Sequence, residues 1–275
     1  MKKPYQVFYD GNFWGHHGRD HAGEEMKLNR EFQWAGHYWL IPSIYLCGKG
    51  IGVDLCRRVA FSDISAFMEK WAPEGKDVSW ERFSREEQIE LERENPLILD
   101  FFSELEVNGR TLQREHGCGI CFNPCLGKEM DDDSEIQNVL RHYQLDTAYG
   151  WVVSREAFSW EGRYKSQIHS MSIRLKEAPK ELCGPHFKVC SPGDTFSFVH
   201  PVSGIKYTLI AKAFEQHTLP DRVWESKSKQ LPVHFTAMDY TLEPKTAHLE
   251  AVQENIEWFI VFQDKIHPEG EFTLI

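Results

Sequence analysis

His169-Ser170-Met171-Ser172-Ile173-Arg174-Leu175 sets His169, Met171, Ile173 and Leu175 against Ser170, Ser172 and Arg174. That period of two is the mark of a strand with one buried face, because successive side chains on an extended backbone point to opposite sides. Downstream the pattern repeats: Thr195 to His200, Ile205 to Phe214, Val233 to Leu242, Ile256 to Gln263 and Phe272 to Ile275 all read as strands. Ser191-Pro192-Gly193-Asp194 and Val202-Ser203-Gly204 read as turns between them. Immediately upstream, Gly150 to Val153 begins another strand.

Further toward the N-terminus, Leu97 to Val107 and Arg110 to Glu115 flank Asn108-Gly109, the pair that supplies the two positive φ angles of a type I′ hairpin turn. Helices are expected on either side of it. Ser62 or Asp63 can cap Ile64 to Trp71. Ser84-Arg85-Glu86-Glu87 forms a capping box that Asn95-Pro96 closes downstream. Asp131-Asp132-Asp133-Ser134, with Gln137, opens a helix to about His142. In the first sixty residues, Tyr5 to Tyr9 and Tyr38 to Leu46 read as strands, the second with an edge or bulge at Pro42. Gly48-Lys49-Gly50-Ile51-Gly52 reads as a turn into Val53 to Val59, which would set Cys47 opposite Cys56.

The fold expected is mainly β (α+β by content): an antiparallel β-sandwich or barrel-like core with helical insertions. The 275 residues fit one β-rich domain over 1–275 with a largely helical insertion at about 61–145. The alternative is an α+β domain over 1–145 followed by a β-sandwich domain over 146–275.

A chain of this size buries enough surface to fold without disulfides or a structural metal. Aromatic residues are abundant (18 Phe, 9 Trp, 9 Tyr) and suit thick sheet packing, although exposed Trp can also stack on sugar rings. Net charge is −11, from 42 acidic and 31 basic residues. With no Lys/Arg-rich run, that field disfavours nucleic acid and anionic membrane as partners, leaving a small ligand or a protein. Met1 to Asp10 has two lysines but no apolar segment behind them, and no run of about 18 apolar residues exists. A cytoplasmic protein with seven reduced cysteines is the corresponding expectation.

Two constellations carry soft or borderline metal ligands. In Cys118-Gly119-Ile120-Cys121-Phe122-Asn123-Pro124-Cys125, with His116 just upstream, three thiols and an imidazole fall within ten residues. Zinc suits His116, Cys118, Cys121 and Cys125 best, and an iron–sulfur cluster second. Gly117 and Gly119 would permit the φ angles of a metal knuckle, and Cys183 or Cys190 can complete the set. A redox dithiol or inert buried thiols are the competing readings. The second constellation is Trp14-Gly15-His16-His17-Gly18-Arg19-Asp20-His21-Ala22-Gly23-Glu24-Glu25. If a helix begins at Asp20, His21 and Glu24 or Glu25 share a face with His17 just before it, a set for a catalytic metal though not at HExxH spacing; the glycine flanks argue instead for a polar loop with solvated histidines. Gly48 to Gly52 lacks the spacing of a phosphate cradle, and His200-Pro201 and His267-Pro268 read as strand ends.

Two functions follow. The first is a β-sandwich binding or scaffold protein that presents aromatic and polar loops, with an optional structural zinc on the Cys-rich loop. The second is a metal-dependent hydrolase on the N-terminal His/Glu cluster, whose zinc would acidify a bound water.

Overall fold

The structure is a computed structural model that describes residues 5–16, 18–72, 83–98, 100–129, 134–160, 167–218, 234–245, 249–254, 257–263 and 268–275. It is mostly antiparallel β, with 54% of residues in strands, and the described residues form four sheets, none of them closed into a barrel. The mainly-β expectation is met, and the barrel-like alternative is not. Along the chain run β1 (Glu24–Trp34), β2 (His37–Leu46), β3 (Gly50–Val59), α1 (Phe61–Trp71), α2 (Arg85–Glu94), β4 (Phe101–Val107), β5 (Arg110–Leu112) and β6 (Arg114–Phe122). Then follow α3 (Glu135–Tyr143), β7 (Gly150–Ser159), β8 (Met171–Glu177), β9 (Glu181–Phe187), β10 (Thr195–Val199) and β11 (Lys206–Thr218). The last strands are β12 (His234–Glu243), β13 (Leu249–Glu254), β14 (Glu257–Gln263) and β15 (Glu269–Thr273). The segment 61–145 thus contributes β4, β5 and β6 as well as its helices. Among the described residues no helix is long and apolar enough to cross a membrane.

The chain divides into two compact units, one comprising Met1–Val78, Glu94–Ala178 and His267–Ile275, the other Ser79–Arg93 and Pro179–Ile266. In the first, a five-stranded sheet has the order β1-β2-β3-β7-β6 and a four-stranded sheet the order β15-β8-β4-β5. One apolar cluster draws on both: Trp39, Ile41, Ile44, Ile51, Val53 and Leu55 from the first, Leu105, Val107, Met171, Ile173 and Leu175 from the second. The alternation in β8 therefore does what its sequence implies, burying Met171, Ile173 and Leu175 while Arg174 stays exposed.

Local signals explain most boundaries. Asn108 and Gly109 have φ of 50° and 76°, the left-handed pair a type I′ turn demands. Ser84 and Glu87 form the reciprocal capping box: Glu87 N–H donates to Ser84 Oγ at 3.2 Å and Ser84 N–H to Glu87 Oε2 at 2.9 Å. Pro42 coincides with a register shift between Leu40 and Ile44 in the β2–β3 ladder. The close approach of β3 to β7 explains Gly50, where a Cβ would sit 2.0 Å from the Phe158 carbonyl oxygen.

Other expectations are corrected. α1 begins after Ala60 with no side-chain cap, so neither Ser62 nor Asp63 plays that role. Ser134 is the N-cap of α3 but makes no capping hydrogen bond; the acids Asp131 to Asp133 lie outside the described residues. Leu46 pairs with Ile51 and Leu40 with Cys56, so Cys47 does not face Cys56. Tyr5 to Tyr9 belongs to no strand, although Val7 and Tyr9 are buried. Glu24–Trp34, which holds the two glutamates of the helix considered from Asp20, is a strand paired with β2 on both sides of a register shift between Lys27 and Arg30.

In the second unit, three-stranded sheets of order β10-β11-β12 and β13-β14-β9 share a core that includes Phe187, Phe198, Leu209, Leu242, Ile260 and Phe262. Ile89 of α2 packs with Phe259 and Val261 of β14. His200 is buried at the end of β10, its Nδ1 accepting from Val202 and Ser203 N–H at 3.2 and 3.3 Å. It organises the turn to β11.

Candidate functional site

The face of the five-stranded sheet turned away from the shared core carries the most concentrated polar chemistry in the first unit. Antiparallel register sets Asp54 of β3 directly opposite Arg155 of β7, on the same face. The guanidinium grips the carboxylate with two parallel bonds: Nε donates to Oδ1 and Nη2 to Oδ2, both at 2.7 Å. Asp54 is fully buried and Arg155 only 5% exposed.

Two elements close over this pair. From α3, Tyr143 Oη donates to Asp54 Oδ2 at 2.6 Å and lies 2.6 Å from the Tyr45 hydroxyl of β2. α3 sits there because Ile136, Val139 and Leu140, spaced one helical turn apart, bury against Phe122, Trp151 and Val153. From the N-terminal strap (residues 5–23), Tyr5 Oη accepts from Arg155 Nη2 at 2.8 Å, and the Phe13 ring lies 4.5 Å from the guanidinium carbon. Burial, then the negative charge of Asp54, drives the Tyr143 phenol well above its ordinary value, so it remains a donor. Burial alone would lower Arg155, but Asp54 outweighs it and fixes the positive charge. Every member has a partner, so the network acts as an anchor for strap and helix.

At its margin, Ser43 Oγ–H donates to Glu25 Oε1 at 2.6 Å and His142 Nε2 lies 3.0 Å from the same oxygen. An ionised carboxylate only accepts, so Nε2 carries the proton. The imidazole stacks on Tyr5 with ring centroids 4.2 Å apart. Burial pushes the Glu25 carboxyl up, but the Ser43 and His142 hydrogen bonds outweigh it and hold the group below its ordinary value. With the folded value below the unfolded one, Glu25 stabilises the fold at neutral pH and loses that contribution as pH falls through the folded value. Glu25→Gln is expected to cost about 1–2 kcal/mol at pH 7, as loss of a charge-assisted hydrogen bond. Urea unfolding across a pH series should show the gap to wild type closing in acid; a gap that stays constant would contradict the assignment.

The strap also holds an aromatic in water. Asn12 Oδ1 accepts from both Trp14 and Gly15 N–H at 2.9 Å, and Asn12 N–H donates to the Gly15 carbonyl at 3.1 Å. This closed turn rests on Phe13, itself seated on Arg155, and leaves Trp14 60% exposed. Trp34, Trp39, Trp71, Trp151 and Trp258 are all buried.

The structure places the residues proposed as metal ligands as follows. Residues 114–122 form β6, not a knuckle, and pair with β7. Cys118, opposite Arg155, therefore faces the anchor, while Cys121, opposite Val152, faces the other side. Cys125 lies in a 3₁₀ turn, Pro124–Glu129. His116 Nε2–H donates to the Tyr9 carbonyl at 2.8 Å. Burial raises the thiol pKa values of Cys118 and Cys125, which opposes thiolate formation. Neither Gly117 nor Gly119 has positive φ. A Cβ on Gly117 would instead meet Arg114 Nη2 at 2.6 Å and Glu156 Oε1 at 2.8 Å, so this glycine makes room for an ion pair. Cys183 and Cys190 both belong to the second unit, and no disulfide joins any of the seven cysteines.

In the alternative set, strand geometry turns Glu24 and Glu25 to opposite faces, and Glu25 is held by Ser43 and His142. His21 is exposed, and His17 lies outside the described residues. Among the described residues no group of three or more His, Cys, Asp or Glu is disposed to hold a metal. Asp54 and Arg155 went unread in the sequence. A lone charge inside Ile51-Gly52-Val53-Asp54-Leu55, and another on a central strand, were the available signal, since a charge in an apolar strand needs a buried partner.

Comparison with protein-family models, curated proteins and solved structures returns no match to this chain.

Proposed function

We propose that this chain is a non-enzymatic binding protein: a β-sandwich-like body that offers the Asn12–Gly15 turn, with Trp14 at its tip, to a partner or small ligand. The cores shared between paired sheets in each unit support the sandwich description. The exposure of Trp14 on a turn fixed by Asn12 and seated through Phe13 on Arg155 carries the binding role. An indole this open leaves about 150 Å² of apolar surface in water, an area worth about 4 kcal/mol when covered. A rigid turn brings that surface to a ligand with little further ordering cost. The buried network belongs to the same design as the foundation that keeps strap and sheet together.

The 275-residue chain carrying ¹⁵N-labelled tryptophan tests this by NMR. The probes are monosaccharides, short apolar peptides and aliphatic carboxylates, titrated in turn. Saturable shifts centred on the Trp14 indole N–H with at least one class are expected, and Trp14→Ala should abolish binding of that class. Shifts centred on other indoles, or none from any class, would reject the role given to Trp14.

A further inference from the structure

Resting on the binding role above, we infer that Trp14 is a stacking platform for a neutral pyranose ring, and that the ligand class is an uncharged polysaccharide. Size comes first. A stable protein partner covers about 800 Å² on each side, with several apolar anchors surrounded by a polar rim. Trp14 offers only about 150 Å². Among the described residues, neither the strap nor β1, β2, β3, β6 and β7 contains another exposed large apolar side chain. One isolated indole is too small for a protein interface. It does match the apolar C–H face of a single pyranose, whose hydroxyl rim remains in water.

Charge points the same way. Net charge is −11, which repels polyanions. Of the cations that touch the strap, Lys49 is occupied by Asp10 and, at 2.9 Å, Asp20, and Arg155 is occupied by Asp54. Rigidity completes the match. The turn is closed by three hydrogen bonds involving Asn12, and Phe13 is held beneath it. The turn therefore fixes where the indole is presented, and the Phe13 ring lies edge-on to it at 6.4 Å. One stacked ring binds weakly alone, so successive rings along a polymer raise the local concentration of sites.

Affinity electrophoresis of the full chain reads this directly. The gels contain soluble mixed-linkage β-glucan, glucomannan, xylan or starch, with polygalacturonate as the anionic control. Retardation by at least one neutral polymer but not by polygalacturonate is expected. Trp14→Ala should weaken it at least about tenfold, equivalent to about 1.4 kcal/mol, and Trp14→Phe should restore part of it. Matching circular dichroism spectra of the variants would show that the fold is retained. Free migration in every neutral gel, or retardation that survives Trp14→Ala, overturns the sugar assignment. If the labelled indole then responds to apolar peptides, the binding role stands and only the ligand class falls.

Discussion

Asp54→Ala is expected to destabilise the first unit by about 3–5 kcal/mol, the range for breaking a buried ion pair from one side. The loss is large because three donors converge on one carboxylate: Arg155 Nε, Arg155 Nη2 and the Tyr143 hydroxyl. Removing it strands a guanidinium that is 5% exposed and takes away the acceptor that ties Tyr143 of α3 to β3. Urea unfolding at pH 7, followed by near-ultraviolet circular dichroism of the surrounding tyrosines, measures the effect. The double variant Asp54→Leu/Arg155→Met should recover most of the stability, since an apolar pair of similar volume avoids the desolvation cost. It should not recover the tyrosine signal of the wild type, because Tyr143 loses its bond to Asp54 and Tyr5 its bond to Arg155. A cost below about 1 kcal/mol for Asp54→Ala would mean that water reaches the pair and that the network anchors nothing.

How much of this was legible in the sequence depended on how local the controlling interaction was. Asn108-Gly109, the Ser84/Glu87 box and the alternation of Met171, Ile173 and Leu175 are settled within a few residues, and all three appear where their chemistry puts them. β1 was missed because it breaks period two: its register shifts between Lys27 and Arg30, with Asn29 at φ 48°. β9 and β13 were missed because their sequences, Glu181–Phe187 and Leu249–Glu254, lack clean alternation and depend on pairing with β14. The sulfur-rich stretch shows the limit most clearly. Spacing alone cannot separate a knuckle from a strand, and pairing with β7, from Trp151 to Phe158, decides for the strand. The Asp54–Arg155 contact spans 101 positions in the chain, beyond the reach of any local pattern. Trp14 lay within a quoted stretch, but its exposure follows from Asn12 and Phe13, which are informative only once the turn is built.

Trp39→Ala sets the other large effect against Trp14. Both belong to an aromatic-rich N-terminal region, yet Trp39 is 2% exposed and Trp14 is 60% exposed. Around Trp39 the Trp34, Phe101 and Phe32 rings lie at centroid distances of 5.4, 5.5 and 6.2 Å, with Phe101 edge-on. Its indole N–H donates to the Trp34 carbonyl at 3.2 Å. Truncation removes the ring, leaves a cavity and frees a buried acceptor, for an expected cost of about 3–5 kcal/mol. Trp14→Ala, which removes only exposed surface, should stay within about 0.5 kcal/mol of wild type. Urea unfolding of the two variants side by side therefore separates a ring retained for packing from one retained for contact with something outside the chain. If Trp14→Ala cost more than about 1 kcal/mol, its indole would be supporting the fold, and its exposure would no longer speak for a ligand.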